Sequence, residues 1–331
     1  MINSLSILMP TYNCAPFIEG AIKSILNQTF KEFEFLIIDD GSSDETPEIV
    51  SRFEDSRIKY FLRKHYGFSN AANFGLNLAN NEYVARMDAD DLALPERLQV
   101  QVDFLNKQPE YDVVSCWYAI FSKQNISYVV KTPILHNQII DRLALHCDIC
   151  HPGVIFPKSK ILSSDGYMDN TREDYDLWLR LKDKVKFYNI PKVLMLLRER
   201  HNSLSRSSTI KNNILVYTAQ RKYYPLDINS HGKIMNFEKL HEIEGWREWF
   251  YGDKAKARAI WKNSKIISIN KFKILLAYLL TFLPKNCFIQ VKNFRIKLRL
   301  KYLIQIPKPY KVKLKTLLRN MSKPSNIDFH K

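Results

Sequence analysis

The chain has 331 residues, is 46% hydrophobic and carries 50 Lys and Arg against 34 Asp and Glu. At that length and composition, one large α/β domain with a helical extension is more natural than two equal domains. Five cysteines fit a reducing cytosol, and the first residues have neither the basic nor the long apolar region of a secretory leader. The charge is uneven: residues 254–331 hold 20 of the bases and only Asp328 as an acid, so the excess is entirely C-terminal.

In chain order, Leu5 to Met9 is a short apolar strand ending in Pro10-Thr11-Tyr12-Asn13. Pro16 opens a helix whose apolar positions Phe17, Ile18, Ala21, Ile22, Ile25 and Leu26 recur at helical spacing. Phe35 to Ile38 reads as a buried parallel strand entering Asp39-Asp40-Gly41-Ser42-Ser43-Asp44, which completes a βαβ unit by residue 40. Thr46-Pro47 resembles an N-cap and first-turn pair, Ile58 to Leu62 a strand, and Ser69 to Asn80 a short helix. Tyr83 to Met87 is a strand that delivers Asp88, Asp90 and Asp91. Pro95 starts a helix with Leu98, Val102 and Leu105 inward, and Val113 to Trp117 is the next strand. The alternation predicts a doubly wound, mainly parallel sheet.

The acidic triplet carries the most chemistry. Carboxylates this crowded raise each other's pKa unless a cation sits among them. A hard divalent ion, Mn²⁺ or Mg²⁺, is commonly held by one or two carboxylates and the phosphates of a substrate, so the cluster points to a nucleoside diphosphate. A solvated acidic turn is the bland alternative. Cys147-Asp148-Ile149-Cys150-His151 matches a haem attachment pattern, but that chemistry takes place outside the cytoplasm, and a zinc site needs a second close pair.

Four motifs in order resemble the inverting glycosyltransferases of family 2, with the GT-A fold, over about residues 4 to 205. They are Pro10 to Asn13, Ile37 to Ser42, Asp88-Ala89-Asp90, and Arg172-Glu173-Asp174-Tyr175-Asp176. The resemblance implies that Pro10 and Tyr12 lie against a uracil ring and that Asp40 accepts its imide N–H. It implies that Asp90 binds the metal, that Asp88 reaches the ribose or the metal's water shell, and that Asp91 caps the next segment. Asp174 would be the general base, with Glu173 and Asp176 as rivals; the structural alternative is a carboxylate stabilising a helix start. His151 and Glu173 would line the acceptor side, and His201 would approach the metal or diphosphate, with a surface-loop residue as the alternative. One departure stands out: where the family often has Arg-Asn, this chain has Ala71-Ala72-Asn73, which leaves Asn73 toward the donor and Arg63, Lys64 or Arg86 as substitute cations.

The C-terminal part is helical in pattern from Asn212 to Ser264, broken at Gly252-Asp253, and then alternates basic and apolar residues. The apolar run Ile274 to Leu283 is about half of a membrane span. A basic amphipathic stretch of this kind reads as a surface lying on an anionic membrane, each Lys or Arg contributing roughly 1 kcal/mol. A solvated helical face ranks second. Nucleic acid ranks third, because no recognisable module is present. The expected layout is a transferase domain over 1–205, a basic membrane-associating extension over 206–306 and a loose tail over 307–331, with Ser203 to Thr209 as a hinge. The expected activity is metal-dependent transfer of a sugar from a UDP-sugar to a hydroxyl of a lipid-linked or growing surface polysaccharide, on the cytoplasmic face of the cell membrane. Nucleotidyl transfer to a sugar phosphate, or a non-catalytic basic scaffold, are the alternatives.

Overall fold

A computed structural model describes residues 1–122, 125–169, 172–199, 210–223, 237–250, 252–263 and 272–282. The first half alternates as the sequence pattern predicts: β1 (Leu5–Thr11), α1 (Ala15–Leu26), β2 (Phe33–Asp39), α2 (Thr46–Ser51), β3 (Ile58–Leu62), α3 (Phe68–Leu78) and β4 (Tyr83–Arg86). There follow β5 (Leu92–Ala93), α4 (Arg97–Lys107), β6 (Val113–Ser122), β7 (Asn125–Val130) and α5 (His136–Leu143). A 3₁₀ turn (His151–Gly153), β8 (Ile155–Pro157), α6 (Lys158–Leu162), α7 (Glu173–Leu181) and β9 (Phe187–Arg198) complete this part.

The strands join one sheet in the order β3-β2-β1-β4-β8-β6-β9-β5, with β7 on β6. The β3-β2-β1-β4 block is parallel throughout, as is the long β6–β9 pair from Val113↔Phe187 to Phe121↔Arg198. Antiparallel joints occur where β8 meets β4 and β6, where β5 meets β9 and where β7 meets β6.

Side-chain alternation explains why both faces carry helices. Leu5, Ile7, Met9, Phe35 and Ile37 pack with Ile18, Ile22 and Ile25 of α1 and Leu98, Val102 and Leu105 of α4. Leu8 and Ile38 point the other way, against α3. There Gly75 brings the helix so close that a Cβ would lie 2.9 Å from Ile38 Cγ1. The sheet is therefore doubly wound, and β1, β2 and β4 end side by side at one edge.

Local capping differs from the sequence pattern. Thr46 lies inside α2, and its hydroxyl instead accepts the Cys14 N–H at 2.9 Å. Asp44 does the capping for two helices: Oδ1 accepts the Thr46 N–H and Oδ2 the Ala15 N–H, both at 3.0 Å. The strand expected over Val113 to Trp117 runs on to Ser122, because β9 supplies a parallel partner for its whole length.

The chain divides into two compact units, one holding Met1–Asp141 and Asp148–Ser203, the other Arg142–Cys147 and the described residues of Leu204–Gln305. The second contains α8 (Ile210–Tyr223), α9 (Phe237–Phe250), α10 (Lys254–Asn263) and α11 (Phe272–Leu280). Its core gathers Trp249, Phe250, Ala257, Trp261, Ile274 and Ala277, with Trp246 and Tyr278 packed on it. Buried Glu248 takes hydrogen bonds from Tyr217 and Arg221. The hinge expected over Ser203 to Thr209 and the tail after Pro307 lie outside the described residues. No described helix is long and apolar enough to cross a membrane.

Candidate active site

The carboxyl ends of β1, β2 and β4 place the first three motifs on one edge, where open α/β sheets bind ligands. Pro10 is the penultimate residue of β1 and is buried in register with Ile38, so its ring is part of the sheet rather than of an open face. Tyr12, the next exposed residue, stacks on His65 with ring centroids 4.3 Å apart and planes at 23°.

His65 is placed there by Asp40. Only 2% exposed, Asp40 accepts the Tyr66 N–H on Oδ1 at 2.9 Å and the Gly67 N–H on Oδ2 at 2.8 Å, and His65 Nδ1 lies 2.7 Å from Oδ2. A carboxylate that accepts two backbone N–H groups organises the loop. Gly41, at φ +82°, is required in the same corner, since a Cβ would stand 2.8 Å from the His65 nitrogen. His65 escaped the sequence reading because nothing in Arg63-Lys64-His65 shows that Asp40 will fold that loop back under Tyr12.

Beyond β4, oxygens of Asp88, Asp90 and Asp91 lie within 4.8 Å of one another. Two buried arginines support them. Arg86 lies 2.9 Å from Asp88 Oδ1 and donates to the Leu8 carbonyl, while Arg97 donates to the Arg86 carbonyl at 2.7 Å. Arg86 is therefore engaged beneath the site and is not a substitute cation for the donor. Asp91 does not cap the next segment: its Oδ1 accepts the Arg198 N–H at 2.8 Å, and Arg198 Nε donates to the Asp90 carbonyl at 2.9 Å. The Arg198 guanidinium lies between Phe17 and Phe121, 4.7 and 4.5 Å from their ring centres. Arg198 comes from the far end of β9, a pairing no local pattern reveals.

Burial pushes the Asp88 carboxyl above its ordinary range, with Arg86 opposing and the charges of Asp90 and Asp174 adding to the rise. Asp91 is pushed well up by burial and then by Asp90 and Asp88. An all-oxygen set this close fits a hard divalent cation.

Asp174 stands in the first turn of α7, and burial raises its carboxyl against the pull of Arg172. Glu173 is pushed up to about 7 by burial and then by the charge of Asp174. Asp176 is no longer a rival, because Arg180 Nε binds its Oδ2 at 2.7 Å.

Asn73 is not presented to a donor. Its amide donates to the Tyr167 carbonyl and accepts the Tyr167 N–H, each at 2.8 Å. Arg63 donates to Asn70 at 2.9 Å and lies over Phe74. His151 is only 7% exposed, with Tyr167 and Trp178 at ring distances of 5.5 and 5.6 Å. His201 lies outside the described residues.

The sequence profile described as glycosyl transferase family 2 matches residues 6–161. A glycosyltransferase of Bacillus subtilis (strain 168), EpsE, is 33% identical over 230 residues, 66% of this chain and 82% of the relative. The O-antigen biosynthesis glycosyltransferase WbnJ of Escherichia coli is 29% identical over 219 residues, covering 63% and 84%. Among solved structures, S. aureus TarS 1-349 in complex with UDP-GlcNAc superposes with a TM-score of 0.58 at 16% identity, over 90% of this chain and 92% of that one. The last likeness shows a shared fold.

Proposed function

The chain belongs to glycosyl transferase family 2 and is a glycosyltransferase, and on that premise we propose that it transfers a sugar from a UDP-sugar to a hydroxyl of a lipid-linked or growing surface polysaccharide, with inversion. One observation carries the reading: oxygens of Asp88, Asp90 and Asp91 gather within 4.8 Å of one another at the carboxyl edge of the sheet, and Asp88 is near enough to Asp174 to feel its charge. The donor class agrees with the UDP-GlcNAc bound by TarS and the acceptor class with the role named for WbnJ.

In this reading the Tyr12–His65 stack is the platform for the uracil, with Pro10 and Asp40 shaping it from beneath. Asp88 would face the ribose or the metal's water shell, and Asp90, with Asp91 beside it and His201, would hold Mn²⁺ or Mg²⁺. When bound, that ion supplies Lewis-acid stabilisation of the departing diphosphate. Asp174 takes the proton from the acceptor hydroxyl as its oxygen bonds to the anomeric carbon, the bond to the diphosphate oxygen breaks, and UDP leaves. A raised carboxyl suits that task, since a base works best near the operating pH. Glu173 lies beside it on the acceptor side.

The second unit, with the basic residues of 254–306, is proposed to hold the enzyme on an anionic membrane at the cytoplasmic face. Exposed Leu279 and Phe282, with Arg258 over Phe282 at 4.5 Å, support that surface. The donor reading is tested with UDP-sugars and GDP-sugars and Mn²⁺, followed by thermal shift and slow donor hydrolysis. UDP-sugars should stabilise the protein and release UDP; pyrophosphate release, or no donor binding at all, overturns it.

A further inference from the structure

We propose that the unpartnered polar atoms of His151, Tyr167 and Trp178 receive one hydroxyl of the transferred sugar, with Tyr167 as the residue that selects it; the inference rests on the donor reading above. All three side chains are at least nine-tenths buried, at 7%, 2% and 0% exposure. Yet both ring nitrogens of His151, the Tyr167 hydroxyl and the Trp178 indole nitrogen have no hydrogen-bond partner. Four such atoms in one place are unusual, because each buried polar group without a partner destabilises the fold.

Their position links the two halves of the site. Trp178 follows Asp174 by four residues in α7, so the two share a helix face. On the other side, Tyr167 meets Phe68 edge-on at 6.4 Å, Phe68 lies under the Arg86 guanidinium at 4.9 Å, and Arg86 grips Asp88. The trio therefore adjoins both the metal-binding motif and the base.

The segment carrying Tyr167 is held rigidly from two helices. Asn73 binds both backbone groups of Tyr167, Ser69 Oγ donates to the Met168 carbonyl at 2.8 Å, and Arg180 Nη2 donates to the Gly166 carbonyl at 2.6 Å. Gly166 has φ +61°, and a Cβ there would collide with the Asn73 amide. Fixing the backbone on both sides of Tyr167 in this way is the preorganisation a selective site needs.

The chemistry of the trio identifies the ligand group. Tryptophan donates only, tyrosine donates and accepts, and neutral histidine does one of each. A sugar hydroxyl, which donates one hydrogen bond and accepts two, satisfies them. A uronate carboxylate does not, with Glu173 and Asp174 alongside.

The test measures binding of UDP, UDP-glucose, UDP-galactose and UDP-N-acetylglucosamine, with Mn²⁺, to the full-length chain and to Tyr167→Phe. The tightest donor is then repeated as its monodeoxy analogues. Tyr167→Phe should keep UDP affinity, weaken the donor about fivefold to tenfold, and leave the melting temperature unchanged or higher, because the lost hydroxyl had no partner. One monodeoxy donor should bind both proteins equally. Unchanged donor preference in the variant, or joint loss of UDP binding and stability, overturns the role of the trio and leaves the donor reading intact. A wild-type protein that binds none of the four overturns both.

Discussion

Asp90 is the residue whose loss should separate catalysis from folding. Its side chain belongs to the acidic cluster, and the backbone around it is held by Arg198 and by the Asp91–Arg198 bond. Asp90→Asn should fold with a normal circular dichroism spectrum and lose transfer by about a hundredfold or more, and EDTA should do the same to the wild type. Equal rates with and without EDTA remove the metal from the reading. His151 gives a prediction about pH. Burial, and then Arg86, hold its imidazolium form well below the usual range, so between the unfolded and folded values only the unfolded chain takes up the proton. Stability from this group is thus full above about pH 6.5 and falls by roughly 1.4 kcal/mol per pH unit below it. Glu173, pushed up to about 7, works in the opposite sense, because there the folded form keeps the proton longer. Urea midpoints at pH 7.5 and 5.5 should therefore show a smaller acid loss in His151→Phe than in the wild type. The charge motifs are visible as residues in the chain, but not that Asp40 and Asn73 hold the backbone of other segments. A side chain's partners depend on which loop arrives opposite it, and the Tyr66–Gly67 and Tyr167 segments come from distant positions.

At the scale of elements, the apolar spacing of α1 and α4 and the runs in β1, β2 and β4 were enough to place them, because burial of one stripe or one strand fixes their period. What spacing did not reveal is how near two elements come. Gly75 in α3 looks like a weak point in a helix, yet it is the contact between α3 and the Leu8 and Ile38 face of the sheet. Gly75→Val should cost about 2 kcal/mol or more, through overpacking, in urea unfolding. Asp176 and Arg180 form a buried pair within α7, and Arg180 also binds the Ser164 and Gly166 carbonyls. Asp176→Asn leaves a buried guanidinium uncompensated and should destabilise by about 3 kcal/mol. A smaller loss than in an exposed ion pair overturns its structural role.

For the whole molecule, the basic excess beyond residue 253 predicts salt-sensitive attachment to anionic lipid. Deleting that stretch is a poor test, since Trp261 and Ile274 belong to the core that holds Trp249. Leu279→Ser with Phe282→Ser in the full chain should instead reduce flotation with phosphatidylserine liposomes at low salt, and high salt should reduce it for the wild type. Flotation that neither change affects ends the membrane proposal. The sequence by itself determined the α/β class, the strand ends that carry acidic groups, and the charge asymmetry, because period, strand-end turn chemistry and net charge are local or additive properties. Tertiary structure alone decided the pairing of β6 with β9 that brings Arg198 to Asp90, the stack of His65 on Tyr12, and the burial of His151 against Tyr167 and Trp178. Those depend on which distant segments share a surface, and a chain read in order contains no distance between them.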